Sequence, residues 1–202
     1  MKPLGLLLLS ALVLCASLPA IASSVLAVSL ERLSTRSELI FEGEVVSVQS
    51  TLDPDQTGIH TYVTFRIADV ITGNYIEPEI TLRFLGGTVG GIRLEVADST
   101  LPDIGEAGIY FVESLTRFQV NPFYGVNQGH FLILESNSQR IMTTRSGRIV
   151  NGFRSANNGA SWDELSNGVA LGLSVDEAGD SLSGVTVLQF KLKILEYLSD
   201  NQ

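Results

Sequence analysis

The chain has 202 residues, 45% of them apolar, with 22 acidic and 13 basic side chains and a net charge of −9; it is long enough to bury one full core. Without a basic cluster or an excess of Lys and Arg, this charge excludes nucleic acid or an anionic membrane surface as the main partner and instead serves solubility. Cys15 is the only cysteine, so no disulfide framework holds the fold and burial must do so.

Met1 and Lys2 give a short positive start, and Leu4 to Leu18 is an almost unbroken apolar run. Ala20-Ile21-Ala22 then fits the small-x-small cleavage rule. The reading is a signal peptide over 1–22, cleaved after Ala22, with Val25-Leu26-Ala27 as a second possible site. The mature chain is then periplasmic or secreted, and no integral membrane segment is left after cleavage. Cys15 follows Leu14, whereas a lipid-modified cysteine follows a small residue, so it reads as one more apolar member of the run.

Ser29 suits an N-cap for a short helix from Leu30 to about Glu38, with Leu30 and Leu33 on one face. In "LIFEGEVVSV", 39–48, Leu39, Phe41 and Val45 form one alternating set and Val46 and Val48 the other. The phase changes near Gly43, as at a bulge or sharp coil. "TLDPDQTG" is a turn by composition. In "IHTYVTFRIADVI", Ile59, Val63, Phe65, Ile67 and Ile71 face one way, and His60, Tyr62, Thr64 and Arg66 the other. "EITLRFL" places Ile80, Leu82 and Phe84 inward. After a glycine-rich loop, Ile92, Leu94 and Val96 alternate with Arg93 and Glu95. "IYFVESL", "RFQV" and "HFLILES" read as further short strands, with "QRIMTT" and "RIVNGF" extending the sheet.

From about 152 the chain turns small, polar and glycine-rich, which predicts a flexible linker over 152–185 with one short helix capped by Ser161 and Glu164. The last segment, 186–202, predicts a helix: Thr186 and Gln189 form a capping box, and Leu188, Leu192 and Leu195 recur at helical spacing. Folding back would bury that stripe at once. Successive short strands without intervening helices predict a mainly β fold, an antiparallel barrel over 23–151 flanked by a short N-terminal and a C-terminal helix.

The loop "LGGTVGGIR" tests for phosphate chemistry. A P-loop ends in Gly-Lys-Ser/Thr, but Ile92 follows Gly91 here. Gly86, Gly87, Gly90 and Gly91 do not match the dinucleotide spacing, and a strand follows where a helix is needed. The loop therefore reads as a tight corner between strands, with exposed amides able to receive a partner's carbonyl or carboxylate. The Asp53 to Gly58 turn lacks the acid that a calcium loop carries at its twelfth position, which is Thr64 here, and reads as a solvated hairpin tip. His60 and His130 have no second histidine at metal-ligand spacing. No Gly-x-Ser-x-Gly elbow is present. Glu42 and Glu44 share one side of a strand and read as solvated acids. The expectation is a non-enzymatic protein with no catalytic residues, no metal and no cofactor.

Residues 37–136, through "SELIFEGEVVSV", "TYVTFRIADVITG", "EITLRFLGGTVGGIRLEV", "LPDIGEAGIYFVES" and "YGVNQGHFLI", resemble a group of exported bacterial proteins sharing a double-glycine loop and a late Gln-Gly-aromatic step. More distantly, the short helix, the "apolar-x-Gly-x-Val" strand and the long strand ending in a Gly turn are similar to the netrin-module or metalloproteinase-inhibitor type of OB barrel. That likeness implies an OB-like barrel that docks to a protein. Zinc chelation by an N-terminal cysteine does not carry over, because the mature chain starts at Ser23 without one, and the Lys-Gly usual after the long strand is Thr72-Gly73.

The functional expectation is an exported barrel that binds a macromolecule, in the first place a protein, through the loop of Gly86, Gly87, Gly90 and Gly91 and the nearby face of Tyr62, Arg83 and Arg93. The alternatives are a carrier of a small apolar ligand, with an interior that Phe41, Phe65, Phe84 and Phe111 leave unfilled, and a hydrolase using His60 or His130.

Overall fold

The computed structural model describes residues 25–55, 57–136, 138–154, 164–176 and 183–201. The predicted signal peptide, Cys15 and the Ser161 end of the predicted linker helix lie outside these residues. Among the described residues the elements run α1 (Leu30–Arg36), β1 (Leu39–Leu52), β2 (Ile59–Thr72), β3 (Glu79–Leu85), β4 (Gly87–Val89), β5 (Ile92–Leu94), β6 (Ala107–Val112), β7 (His130–Ser136), β8 (Gln139–Thr144), β9 (Ile149–Phe153), β10 (Leu173–Asp176) and α2 (Val187–Asp200). Eight strands form one antiparallel sheet in the order β10-β9-β8-β7-β6-β1-β2-β3, and β4 and β5 form a separate hairpin.

The predicted mainly β class is present, but the sheet is not a closed barrel. Among the described residues no pairing joins its end strands, β3 and β10. The physical reason lies in β1 and β6. Leu39-Ile40-Phe41 and Ile109-Tyr110-Phe111-Val112 are unbroken buried runs, which mark strands covered on both faces. A small barrel covers its interior face alone.

On one face, Leu30 and Leu33 of α1 and Phe190 and Ile194 of α2 pack on Ile40, Ile109, Phe111, Phe131, Met142 and Val150. On the other, Leu39, Phe41, Val45, Val63, Phe65, Phe84, Tyr110, Val112 and Phe123 form a second core. There Phe65 and Tyr110 lie 4.7 Å apart, Phe84 and Phe123 5.3 Å, and Tyr110 and Phe123 5.4 Å, the spacing of favourable aromatic pairs. Phe111 is not among these rings; it faces the helices. Ile71 also packs on the helix side, away from Val63 and Phe65, because the β1–β2 pair coils strongly: its register shifts at Ile40/Phe41, Glu42/Gly43 and Val45/Ser47.

Both helix caps match the sequence reading. Ser29 Oγ accepts from Arg32 N at 3.0 Å, and the Thr186–Gln189 capping box is complete. The buried stripe of α2 does not match. Val187, Phe190 and Ile194 face the sheet, while Leu188, Leu192 and Leu195 are 66%, 56% and 46% exposed. Both triplets have helical spacing, and the larger Phe190 takes the core.

Three further expectations change. "RFQV", 117–120, is irregular, not a strand. Ile92 is exposed, because β5 belongs to the outlying hairpin. Within 152–185, β9 extends to Phe153, and β10 pairs with it, Leu173 opposite Phe153.

Candidate interaction site

The glycine loop divides into a corner and a tip. At the corner, Gly86 N donates to Ile59 O at 2.7 Å and Thr61 Oγ1 donates to Gly86 O at 2.7 Å, tying the exit of β3 onto β2. Gly87 has φ +133°, and a Cβ there would meet Thr61 Oγ1 at 2.3 Å and Ser50 Oγ at 2.5 Å. Only a residue without a side chain fits between those hydroxyls. At the tip, Gly90 and Gly91 both have positive φ and link the paired Val89 and Ile92, which is the two-residue hairpin turn that twists with its strands. A strand follows the loop, as its sequence predicts. Beside the hairpin lies an open groove of about 420 Å³, lined in part by Gly86, Thr88, Arg93, Val96 and Thr100.

The structure brings Tyr62 and Arg83 together as direct cross-strand partners on β2 and β3. Arg93 stands apart on the hairpin, opposite Thr88 and ion-paired with Glu95, both side chains 70% exposed. Such a pair contributes little.

Arg83 is the centre of an arrangement that the sequence reading did not assemble. Its Nη2 donates to His60 Nε2 at 2.6 Å, and His60 Nδ1 contacts Asp53 Oδ1 at 2.7 Å. A guanidinium has no acceptor, so Nε2 must accept and Nδ1 must carry the proton given to Asp53. The Phe118 ring lies 4.6 Å from Arg83 Cζ, a cation–π contact, and Phe118 is 81% exposed. His60 is therefore a buried orienting group and not a surface neighbour of Tyr62. The β1–β2 hairpin pairs Thr51 with His60, which sets Asp53 diagonally across from the ring. Alternation alone does not show this diagonal. Phe118 was hidden because its segment reads as a strand.

Two other charged clusters lie apart from Arg83. Glu42 is buried, unlike its exposed neighbour Glu44. It bonds Arg140 Nη2 at 2.5 Å and pairs with Lys191 of α2, which also reaches Asp69 at 2.7 Å. Burial pushes the Glu42 carboxyl up, but its bonds to Lys191 and Arg140 outweigh this and hold it below the usual range. His130 is buried between the rings of Tyr110 and Phe123, with Nε2 3.5 Å from Glu106 Oε2. Burial pushes this imidazole down against the pull of Glu106, and it sits in a different cluster from His60. In the calcium-like turn, Asp55 accepts from Thr57 Oγ1 at 2.8 Å and Asp53 is taken up by His60.

Among the described residues no group of three or more His, Cys, Asp or Glu side chains could hold a metal, and no helix is long and apolar enough to cross a membrane. No family model matches the chain, and no curated protein or solved structure shows significant similarity to it.

Proposed function

We propose that this is an exported binding domain, without catalytic activity of its own, that recognises another protein through the surface built by Tyr62, Arg83 and Phe118. The observation that carries the reading is Phe118. It is the most exposed aromatic ring described, it stacks on an arginine, and that arginine is held from behind by His60 and Asp53. Exposed aromatic and Arg side chains in a fixed arrangement are the usual anchors of protein interfaces. The cross-strand Tyr62, 40% exposed, widens the same patch.

The coil of β1–β3 around five aromatic rings supports an OB-like curl for this half of the sheet. Those rings contact one another, so this core offers no support for an apolar-ligand carrier. The Asp53–His60 pair has the order of a nucleophile-activating dyad, but its Nε2 faces Arg83 and not a hydroxyl.

The test is affinity capture from native envelope with the mature chain as bait, run beside Phe118→Ala and Arg83→Ala. The reading predicts a discrete protein captured by the native chain and lost with either variant. Equal capture by all three would overturn it.

A further inference from the structure

Resting on the reading above, we infer that the partner contributes an extended, carboxylate-bearing segment, which adds to the free edge of β3 at Thr81 and Arg83. The phase of the β2–β3 pairing places those residues. Gly86 N bonds Ile59 O and Ile67 N bonds Pro78 O, so the even-numbered residues Ile80, Leu82 and Phe84 exchange bonds with β2. The backbone N–H and C=O of Thr81 and Arg83 therefore point outward, and among the described residues neither has a backbone partner. The next outward amide is already used in the way proposed: Leu85 N donates to Val120 O at 2.9 Å. At the other end, Glu79 O accepts from Tyr75 OH at 3.0 Å. Two residues of open strand edge thus remain between two occupied positions.

An open edge is normally blunted by a charge projecting from it. Arg83 does not do this, since its guanidinium is turned onto His60 Nε2 and lies against Phe118. That placement also selects the partner's chemistry. Arg93, Arg117, Arg140 and Arg145 each pair with a carboxylate, but Arg83 meets a neutral ring nitrogen and an aromatic face. Among the described residues no carboxylate touches this guanidinium directly; the acid nearest in its hydrogen-bond chain, Asp53, lies on the far side of His60. A carboxylate on the incoming segment supplies a direct counter-charge as a strong charge-assisted bond, while main-chain bonds to the edge supply register.

The test uses a blocked peptide of alternating Val and Thr with one central Glu, the same peptide with Lys, and the Glu peptide N-methylated along one edge. Amide exchange and NMR shifts are followed in the mature chain. The expected result is slowed exchange at Thr81 and Arg83 with the Glu peptide and at least tenfold weaker binding of the Lys peptide. N-methylation of the edge facing β3 should abolish protection, and Arg83→Gln should remove the preference for Glu. Thr81→Pro removes the outward N–H and should abolish binding; the N-methyl peptide gives the same answer if this variant does not fold. Equal binding of Glu and Lys peptides, or no protection at Thr81 and Arg83, overturns the inference. Envelope capture that is lost with Phe118→Ala but kept with a folded Thr81→Pro overturns strand addition while leaving the surface reading intact. Capture indifferent to Phe118→Ala overturns the surface reading itself.

Discussion

Arg83 and His60 share one hydrogen bond, 2.6 Å from Nη2 to Nε2, and it fixes which imidazole nitrogen carries the proton. The neutral ring must be the Nδ1–H tautomer, with Asp53 as acceptor. Long-range proton–nitrogen NMR should show a protonated Nδ1 and a bare Nε2, and Arg83→Ala should keep this tautomer, because Asp53 still accepts from Nδ1. An Nε2–H ring in the native chain would contradict this geometry.

The two halves of the glycine loop predict opposite mutational outcomes. Gly87→Ala combines an unfavourable φ with a Cβ 2.3 Å from a hydroxyl oxygen, and should destabilise the protein by about 3 kcal/mol. Gly90 has φ +56° and open space around it, so Gly90→Asn should change stability by less than about 0.5 kcal/mol. Urea unfolding of both variants measures the contrast.

Much of this fold is legible in the residues, and the losses have physical causes. Caps are local chemistry, so Ser29 and Thr186 can be placed from sequence. The phase change at Gly43 marks a real register shift. The pleat records which side chains share a face but not how many faces are covered, so Phe111 was expected among Phe41, Phe65 and Phe84 when it packs under α2. In the same way, periodicity finds α2 but cannot rank Leu188-Leu192-Leu195 against Val187-Phe190-Ile194. Tyr62 and Arg83 were within reach because adjacent strands bring them together; His60, Asp53 and Phe118 come from a hairpin diagonal and an irregular loop.

That helix face gives a direct check. Phe190→Ala should cost about 3–5 kcal/mol, since the ring is fully buried against Phe111 and Phe131. Leu192→Ser, on the exposed stripe, should stay within about 0.5 kcal/mol. Thermal unfolding of the two variants decides it.

Glu42 predicts how acid loosens α2. Its folded carboxyl lies below the ordinary value of 4.5, so its contribution is complete above that pH and is lost as pH falls through the folded value. Glu42→Gln should cost about 2–3 kcal/mol at neutral pH, because it breaks a buried pair with Lys191. In urea titrations the gap between variant and native chain should narrow as pH falls below 4.5 and through the folded value. A gap that stays constant from neutral pH to acid would remove Glu42 from the account.

The central claim, that Phe118 and Arg83 form the recognition surface, is tested most directly by photo-crosslinking in the envelope. A benzoyl-phenylalanine in place of Phe118 should yield one discrete protein adduct that disappears when Arg83→Ala is added. The same probe in place of Leu188, another exposed apolar position, should yield none. Absence of any adduct from position 118, or an adduct from 118 that Arg83→Ala leaves unchanged, would contradict the account.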